Sequence, residues 1–117
     1  MPTLTRLAPE LPARDLRASL NFYEEQLGFE IRAVLSDQGY AIVERDGMAI
    51  HLFTSDRDSP SGVHLFTEEL EPLRDELSGH GAPIAQPIQR KPWGNRDFRV
   101  IDPAGNALKF TEPLRHA

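Results

Sequence analysis

The sequence predicts an α+β chain in which one βαβββ module is written twice. Three observations carry that reading: the order of elements, the spacing of like residues in the two halves, and the alternation of side chains along the strands. Asp15-Leu16 matches Glu69-Leu70, 54 residues on; Gly28 matches Gly81, 53 on; and Gly47-Met48-Ala49-Ile50-His51 matches Gly105-Asn106-Ala107-Leu108-Lys109, 58 on. Either module alone is too small to bury a core. The two are therefore read as a single domain over residues 1–117, with module 1 over about 1–56 and module 2 over about 61–117.

In module 1 a strand is expected from Leu4 to Leu11, broken by Pro9, which has no amide to give to a ladder. Asp15 is a good N-cap. Leu16, Leu20, Tyr23 and Leu27 then mark one helical face, and Gly28 stops the helix. Phe29, Ile31 and Ala33 alternate as a second strand. Asp37-Gln38-Gly39 turns the chain into a third strand, Tyr40 to Glu44. Asp46-Gly47 is a hairpin signal, and Met48 to Thr54 is the fourth strand.

After the polar linker Arg57 to Gly62 the order repeats. Val63 to Phe66 is a strand, and Thr67 or Glu68 is expected to cap a helix with acidic residues in its first turn, where they suit the helix dipole. Pro72 comes early enough to be tolerated. Leu70, Leu73 and Leu77 form the buried stripe, and Gly79 and Gly81 end it. Ile84 to Gln89 and Asp97 to Ile101 are strands, Asp102-Pro103-Ala104-Gly105 is a turn, and Asn106 to Thr111 is the last strand.

Alternation assigns faces. Met48, Ile50 and Leu52, with Val63, Leu65, Leu108, Phe110, Leu7, Pro9 and Leu11, make an apolar, mainly aliphatic set suited to a helix-covered core. The opposite set is mixed: Ala8, Glu10, Ala49, His51, Phe53, Gly62, His64, Phe66, Ala107, Lys109 and Thr111. Apolar surface carrying a few polar groups is what a ligand site uses. A half-exposed sheet used for dimer packing is the competing reading.

Composition narrows the function. The 117 residues are 39% hydrophobic and 26% charged, as in soluble globular proteins. No apolar run reaches the ~20 residues of a membrane span. Met1-Pro2-Thr3-Leu4 shows no secretory pattern, so a cytoplasmic setting is expected. The absence of Cys excludes disulfides, thiolate metal sites and a Cys nucleophile. A net charge of −5 argues against non-specific nucleic-acid binding and suits a cationic or neutral partner.

Leu11-Pro12-Ala13-Arg14-Asp15-Leu16, Asn21-Phe22-Tyr23-Glu24, Leu27-Gly28-Phe29, Pro92-Trp93-Gly94, Arg96-Asp97-Phe98 and Asp102-Pro103-Ala104-Gly105-Asn106 resemble the glyoxalase/bleomycin resistance (vicinal oxygen chelate) superfamily, in particular its bleomycin-binding branch. The resemblance spans essentially the whole chain. It implies paired βαβββ modules forming cup-shaped mixed sheets, and a dimer that exchanges its first strand, to which Pro9 is suited. It also implies that metalloenzymes of this fold place ligands where this chain has Ala8, His51, Gly62 and Lys109. Only His51 of these is a metal donor, Lys109 brings a positive charge, and a catalytic metal needs about three protein ligands. The expectation is no metal, no cofactor and no catalytic residue.

The leading functional reading is non-catalytic sequestration of a bleomycin-like glycopeptide antibiotic in grooves at a homodimer interface. The candidate ligand contacts are Trp93, Tyr40, Phe53, His51, His64, Phe66, Asp37, Lys109 and Glu10. Trp93 can present its face to a flat ring or plug an apolar gap. Tyr40 can line the groove or serve as an edge aromatic. Phe53 and Phe66 supply apolar walls. His51 and His64 titrate near neutrality, though either could be structural. Asp37 and Glu10 could attract ligand amines, although Glu10 could equally pair with Lys109. Arg96 is read as an ion-pair residue of open role, and His80 and His116 as surface residues. The alternatives are a metal-dependent glyoxalase- or dioxygenase-type enzyme using His51 with Glu10 and His64, or a binding protein for another small metabolite.

Overall fold

The computed structural model describes residues 2–114. Module 1 contains β1 (Glu10–Ala13), α1 (Leu16–Asn21), β2 (Glu30–Leu35), β3 (Tyr40–Arg45) and β4 (Met48–Thr54). Module 2 contains β5 (Gly62–Phe66), α2 (Leu70–Gly79), β6 (Ile84–Arg90), β7 (Arg96–Ile101) and β8 (Ala107–Thr111). Each module folds into its own four-stranded mixed sheet, ordered β1-β4-β3-β2 and β5-β8-β7-β6. In both, the first strand runs parallel to the fourth, and the other neighbours are antiparallel. The duplicated βαβββ order is thus present as expected.

Local chemistry explains most boundaries. The Asp15 side chain accepts the Ala18 amide at 3.1 Å, closing the N-terminus of α1. That helix continues into a wider π turn, Phe22–Gln26, where the Leu27 amide reaches back to the Phe22 carbonyl. The extra residue brings both Phe22 and Tyr23 inward beside Leu20 and Leu27. A helical period of 3.6 does not foresee such a turn. Asp46 and Gly47 both have positive φ, 52° and 79°, the geometry of a two-residue hairpin.

Three expectations are corrected. The first strand is Glu10–Ala13, not Leu4 to Leu11; Leu4 and Leu7 are 97% and 94% exposed and take no part in the core. Pro9 ends that segment, and its carbonyl accepts the His51 amide at 3.0 Å. Met48 is 59% exposed, because the tight hairpin turn leaves it beyond the helix-covered area. The N-terminus of α2 is at Glu69, whose side chain makes no cap bond; its amide is instead taken by Thr67 Oγ1 at 3.0 Å.

The cores of the two modules merge into one cluster running from Leu11, Leu27, Val43 and Leu52 to Leu77, Phe98, Val100 and Leu108. Polar groups stitch the junction. Tyr23 donates to Asp102 Oδ2 at 2.8 Å, and Asn106 donates through Nδ2 both to the same oxygen and to the Pro12 carbonyl. Asp102 Oδ1 accepts the Ala104 and Asn106 amides, shaping the β7–β8 turn. Burial, and then the Asp102 charge, push the Tyr23 phenol well above its ordinary range, so it remains a donor. The Phe22-Tyr23 and Asp102–Asn106 motifs are therefore two halves of one structural contact.

Candidate functional site

The site follows from strand register on the sheet faces turned away from the helices. On the first sheet Glu10 lies beside His51, and His51 beside Ile42; Pro12, Phe53 and Tyr40 form the adjoining row. On the second sheet His64 lies beside Lys109, and Lys109 beside Arg99; Phe66, Thr111 and Asp97 form the adjoining row. Alternation thus places Glu10, Tyr40, His51 and Phe53 on one open face, and His64, Phe66 and Lys109 on the other.

On the first face Tyr40 bridges two side chains. Its hydroxyl donates to Glu10 Oε2 at 2.8 Å and lies 2.6 Å from His51 Nδ1. A carboxylate only accepts and a phenol has one proton, so both contacts are satisfied when His51 carries its proton on Nδ1. Its Nε2 lone pair is then available for other contacts. The hydrogen bond to Glu10, followed by desolvation, raises the Tyr40 pKa. Glu10 thus engages Tyr40 rather than Lys109, which belongs to the other sheet.

On the second face His64 Nδ1 lies 2.9 Å from Thr111 Oγ1, whose own proton goes to the Lys109 carbonyl. Nδ1 must therefore donate, again leaving Nε2 as the open nitrogen. Desolvation, and then the Lys109 charge, lower the His64 pKa. Phe66, 64% exposed, stacks on His64 with a centroid distance of 6.0 Å. Asp97 is buried, accepts from Gln86 Nε2 at 2.7 Å, and lies 3.5 Å from Lys91 and 3.6 Å from Arg99.

Two predicted contacts lie elsewhere. Trp93, 59% exposed, sits in the β6–β7 loop and lines a hollow of about 500 Å³ with Arg90, Arg96, Glu112 and Leu114. Asp37 is exposed in the short 3₁₀ turn between β2 and β3. Two further hollows, of about 300 and 760 Å³, lie beside α2 and α1; Phe66 lines the first, and neither is lined by Tyr40, His51, His64 or Lys109. Arg96 pairs with Glu71 and Glu112 at 2.8 and 2.9 Å. His80 is exposed, and His116 lies outside the described residues.

Sequence reading missed Arg99, Lys91 and Gln86. The alternation used on β4 and β8 applies equally to β7, where Phe98 and Val100 point inward and Asp97 and Arg99 outward. It would have found Arg99. Lys91 and Gln86 reach Asp97 across irregular β6–β7 pairing, whose register no short motif encodes.

The residues present do not suit the divalent metal of the superfamily's enzymes. Ala8 and Gly62 have no donor atom. Lys109 lies across Gly62, so that a Cβ placed there would be 3.2 Å from its Cε and 3.3 Å from its Nζ. At the ligand positions that the resemblance implies, an ammonium therefore stands where a cation would need a ligand. Among the described residues, no three His, Asp or Glu side chains gather closely enough to hold a metal ion.

Comparison with known proteins agrees with this architecture. Bleomycin resistance proteins of Geobacillus stearothermophilus and Staphylococcus aureus are 29% identical over 128 aligned positions, covering 92% of this chain and 96% of theirs. A bleomycin resistance determinant encoded on transposon Tn5 superposes with a TM-score of 0.84 at 21% identity, covering 96% of this chain and 100% of that one. A lactoylglutathione lyase from Agrobacterium tumefaciens superposes with a TM-score of 0.76 at 20% identity, covering 95% of each. A fold shared by a resistance determinant and a lyase does not choose between them. The family model for the glyoxalase/bleomycin resistance protein/dioxygenase superfamily matches residues 4–110, and the chain belongs to that superfamily.

Proposed function

We propose that this protein binds and sequesters a bleomycin-like glycopeptide antibiotic without transforming it, in grooves formed where two copies of the chain meet. The observation that carries the reading is the donor set: of the positions that hold a metal in the superfamily's enzymes, Ala8 and Gly62 offer nothing and Lys109 offers a cation. The relatedness to bleomycin resistance proteins over nearly the whole chain supports it. The segment before Pro9 supports the dimer, because two leucines almost fully exposed in one protomer gain from burial against another. Tyr40, His51, Phe53, His64, Phe66 and Trp93 supply aromatic and imidazole surface, and Glu10 and Asp37 supply charge for ligand amines. Affinity alone then lowers the concentration of free drug.

The test titrates bleomycin into metal-free protein, following calorimetric heat and the fluorescence of Trp93, the only Trp in the sequence. Saturable binding with a Kd below about 1 µM, about −8 kcal/mol, and recovery of drug of unchanged mass are expected. Absence of binding, or a changed drug mass that depends on added Ni, Zn, Fe or Mn, would overturn the reading.

A further inference from the structure

The second open face carries positive charge that the protein does not neutralise. Lys91 and Arg99 share a single nearby carboxylate, Asp97, which also accepts from Gln86. Lys109 makes no ion pair or side-chain hydrogen bond among the described residues. Arg99 reaches Asp97 only at 3.6 Å, and its buried Nε has no acceptor. Strand pairing puts Arg99 and Lys109 side by side on β7 and β8, with His64 next to Lys109 on β5. Beside that row stands the exposed ring of Phe66.

We infer that Arg99, Lys109 and His64 form a subsite for an anionic group, a carboxylate, sulfonate or phosphate, carried on an aromatic small molecule whose ring lies against Phe66. Arg99 and Lys109 donate charge-assisted hydrogen bonds to the anion. His64, held with Nδ1 on Thr111, turns Nε2 toward it and becomes a third donor when protonated. This deepens the proposed binding role. It rests on that reading only in taking the open faces as the binding surface, and it does not require the ligand to be bleomycin.

The experiment compares naphthoate with naphthylmethanol, the same ring with and without an anion. Each is titrated into the full-length protein and followed by amide chemical shifts. Naphthoate is expected to bind at least about tenfold more tightly, the scale of one charge-assisted hydrogen bond. That preference should shrink as NaCl rises from about 50 to about 500 mM. Lys109→Met and Arg99→Gln should each lower naphthoate affinity about tenfold and leave naphthylmethanol unchanged, while Lys109→Arg retains the preference. Circular dichroism and thermal melts establish that each variant is folded, and Lys109→Arg keeps the test usable if Arg99→Gln is not. Equal affinity for the two probes, including no measurable binding of either, overturns the inference. So does a Lys109→Met variant that changes the oligomeric state but not the preference, since a partner subunit's carboxylate would then be what the row receives. Bleomycin is titrated into the same samples. Failure of bleomycin alone overturns sequestration and leaves the anion subsite standing, and the reverse result does the opposite.

Discussion

The two open faces occupy equivalent places in a repeated module, yet carry opposite chemistry. Glu10 and His64 are equivalent, as are His51 and Lys109; the third member of each row is Ile42 in one and Arg99 in the other. The inward neighbours barely differ: Ile50 corresponds to Leu108 and Leu52 to Phe110, all buried. Packing against a helix fixes the inward positions in both halves. The outward positions are free to diverge, and there one face became an acid–phenol–imidazole chain and the other a cationic row. The turns diverge too. Met48, next to the Asp46-Gly47 turn, is exposed, whereas its counterpart Asn106 is fully buried and tied to module 1.

That last difference gives the largest expected effect. Asp102→Ala removes the acceptor of the Tyr23 hydroxyl, of Asn106 Nδ2 and of two backbone amides. Leaving several buried donors unsatisfied costs about 3–5 kcal/mol, and the melting temperature should fall by more than about 10 °C. Tyr23→Phe takes away only one member and should cost about 1–2 kcal/mol. Equal, small losses in chemical denaturation would mean that the junction is held by apolar packing alone.

The next effect separates the faces themselves. Tyr40→Phe deletes the hydroxyl between Glu10 and His51 and should cost about 0.5–1 kcal/mol. It should also release the His51 ring from its Nδ1-protonated tautomer, which the ¹⁵N shifts of the imidazole report. The second face should not respond, because Thr111 and not a phenol holds His64. A His51 tautomer unchanged in the variant would show that Tyr40 does not set it.

These contrasts mark how far the sequence could be read. Element order, most strand ends, the Asp15 cap and the Asp46-Gly47 hairpin all rest on residues a few positions apart, and all were legible. The first strand was misplaced because Leu7 carries the alternation of Pro9 and Leu11 but, like Leu4, has no core within the chain to meet. The roles of Tyr23 and Asp102 were visible only as separate motifs, since a separation of 79 positions hides a single hydrogen bond. The partner of Glu10 was open for a related reason: β1 joins β4 in parallel, no turn sets that register, and the sequence offered ligand amines or Lys109 where the fold supplies Tyr40. Trp93 was chosen by resemblance and Asp37 by charge; both sit on loops, where strand alternation assigns no face.

A smaller effect tests the charge on the second face. His64 is held below its ordinary value of 6.5 by desolvation and then by Lys109, with Arg99 lowering it further and Asp97 opposing. Below 6.5 the unfolded chain therefore binds more protons at this site than the folded one. The His64 contribution to stability is lost as pH falls from about 6.5 through the lowered folded value. Lys109→Met should move the His64 midpoint upward in a proton NMR titration and soften that loss. A midpoint unmoved by the substitution would leave desolvation, with Arg99, as the cause.

The smallest effect concerns the other link between the modules. Arg45 donates to both Glu76 oxygens at 2.8 and 2.9 Å, and also to the Leu27 carbonyl, joining the β3–β4 hairpin to α2. The hydrogen bonds from Arg45 hold the Glu76 carboxyl below its ordinary range. Its stabilising share is therefore present above about pH 4.5 and lost as pH falls through the lowered folded value. Because the pair is partly exposed, water screens it, and Glu76→Gln should cost only about 0.5 kcal/mol, less still at high salt. The comparison with Asp102→Ala is the informative one. Both links cross the same junction with short, well-formed hydrogen bonds, and they differ chiefly in burial. If Glu76→Gln proved as costly as Asp102→Ala, burial would not be what separates the two turns. The exposed hairpin of module 1 would then bear as much of the junction as the buried one of module 2.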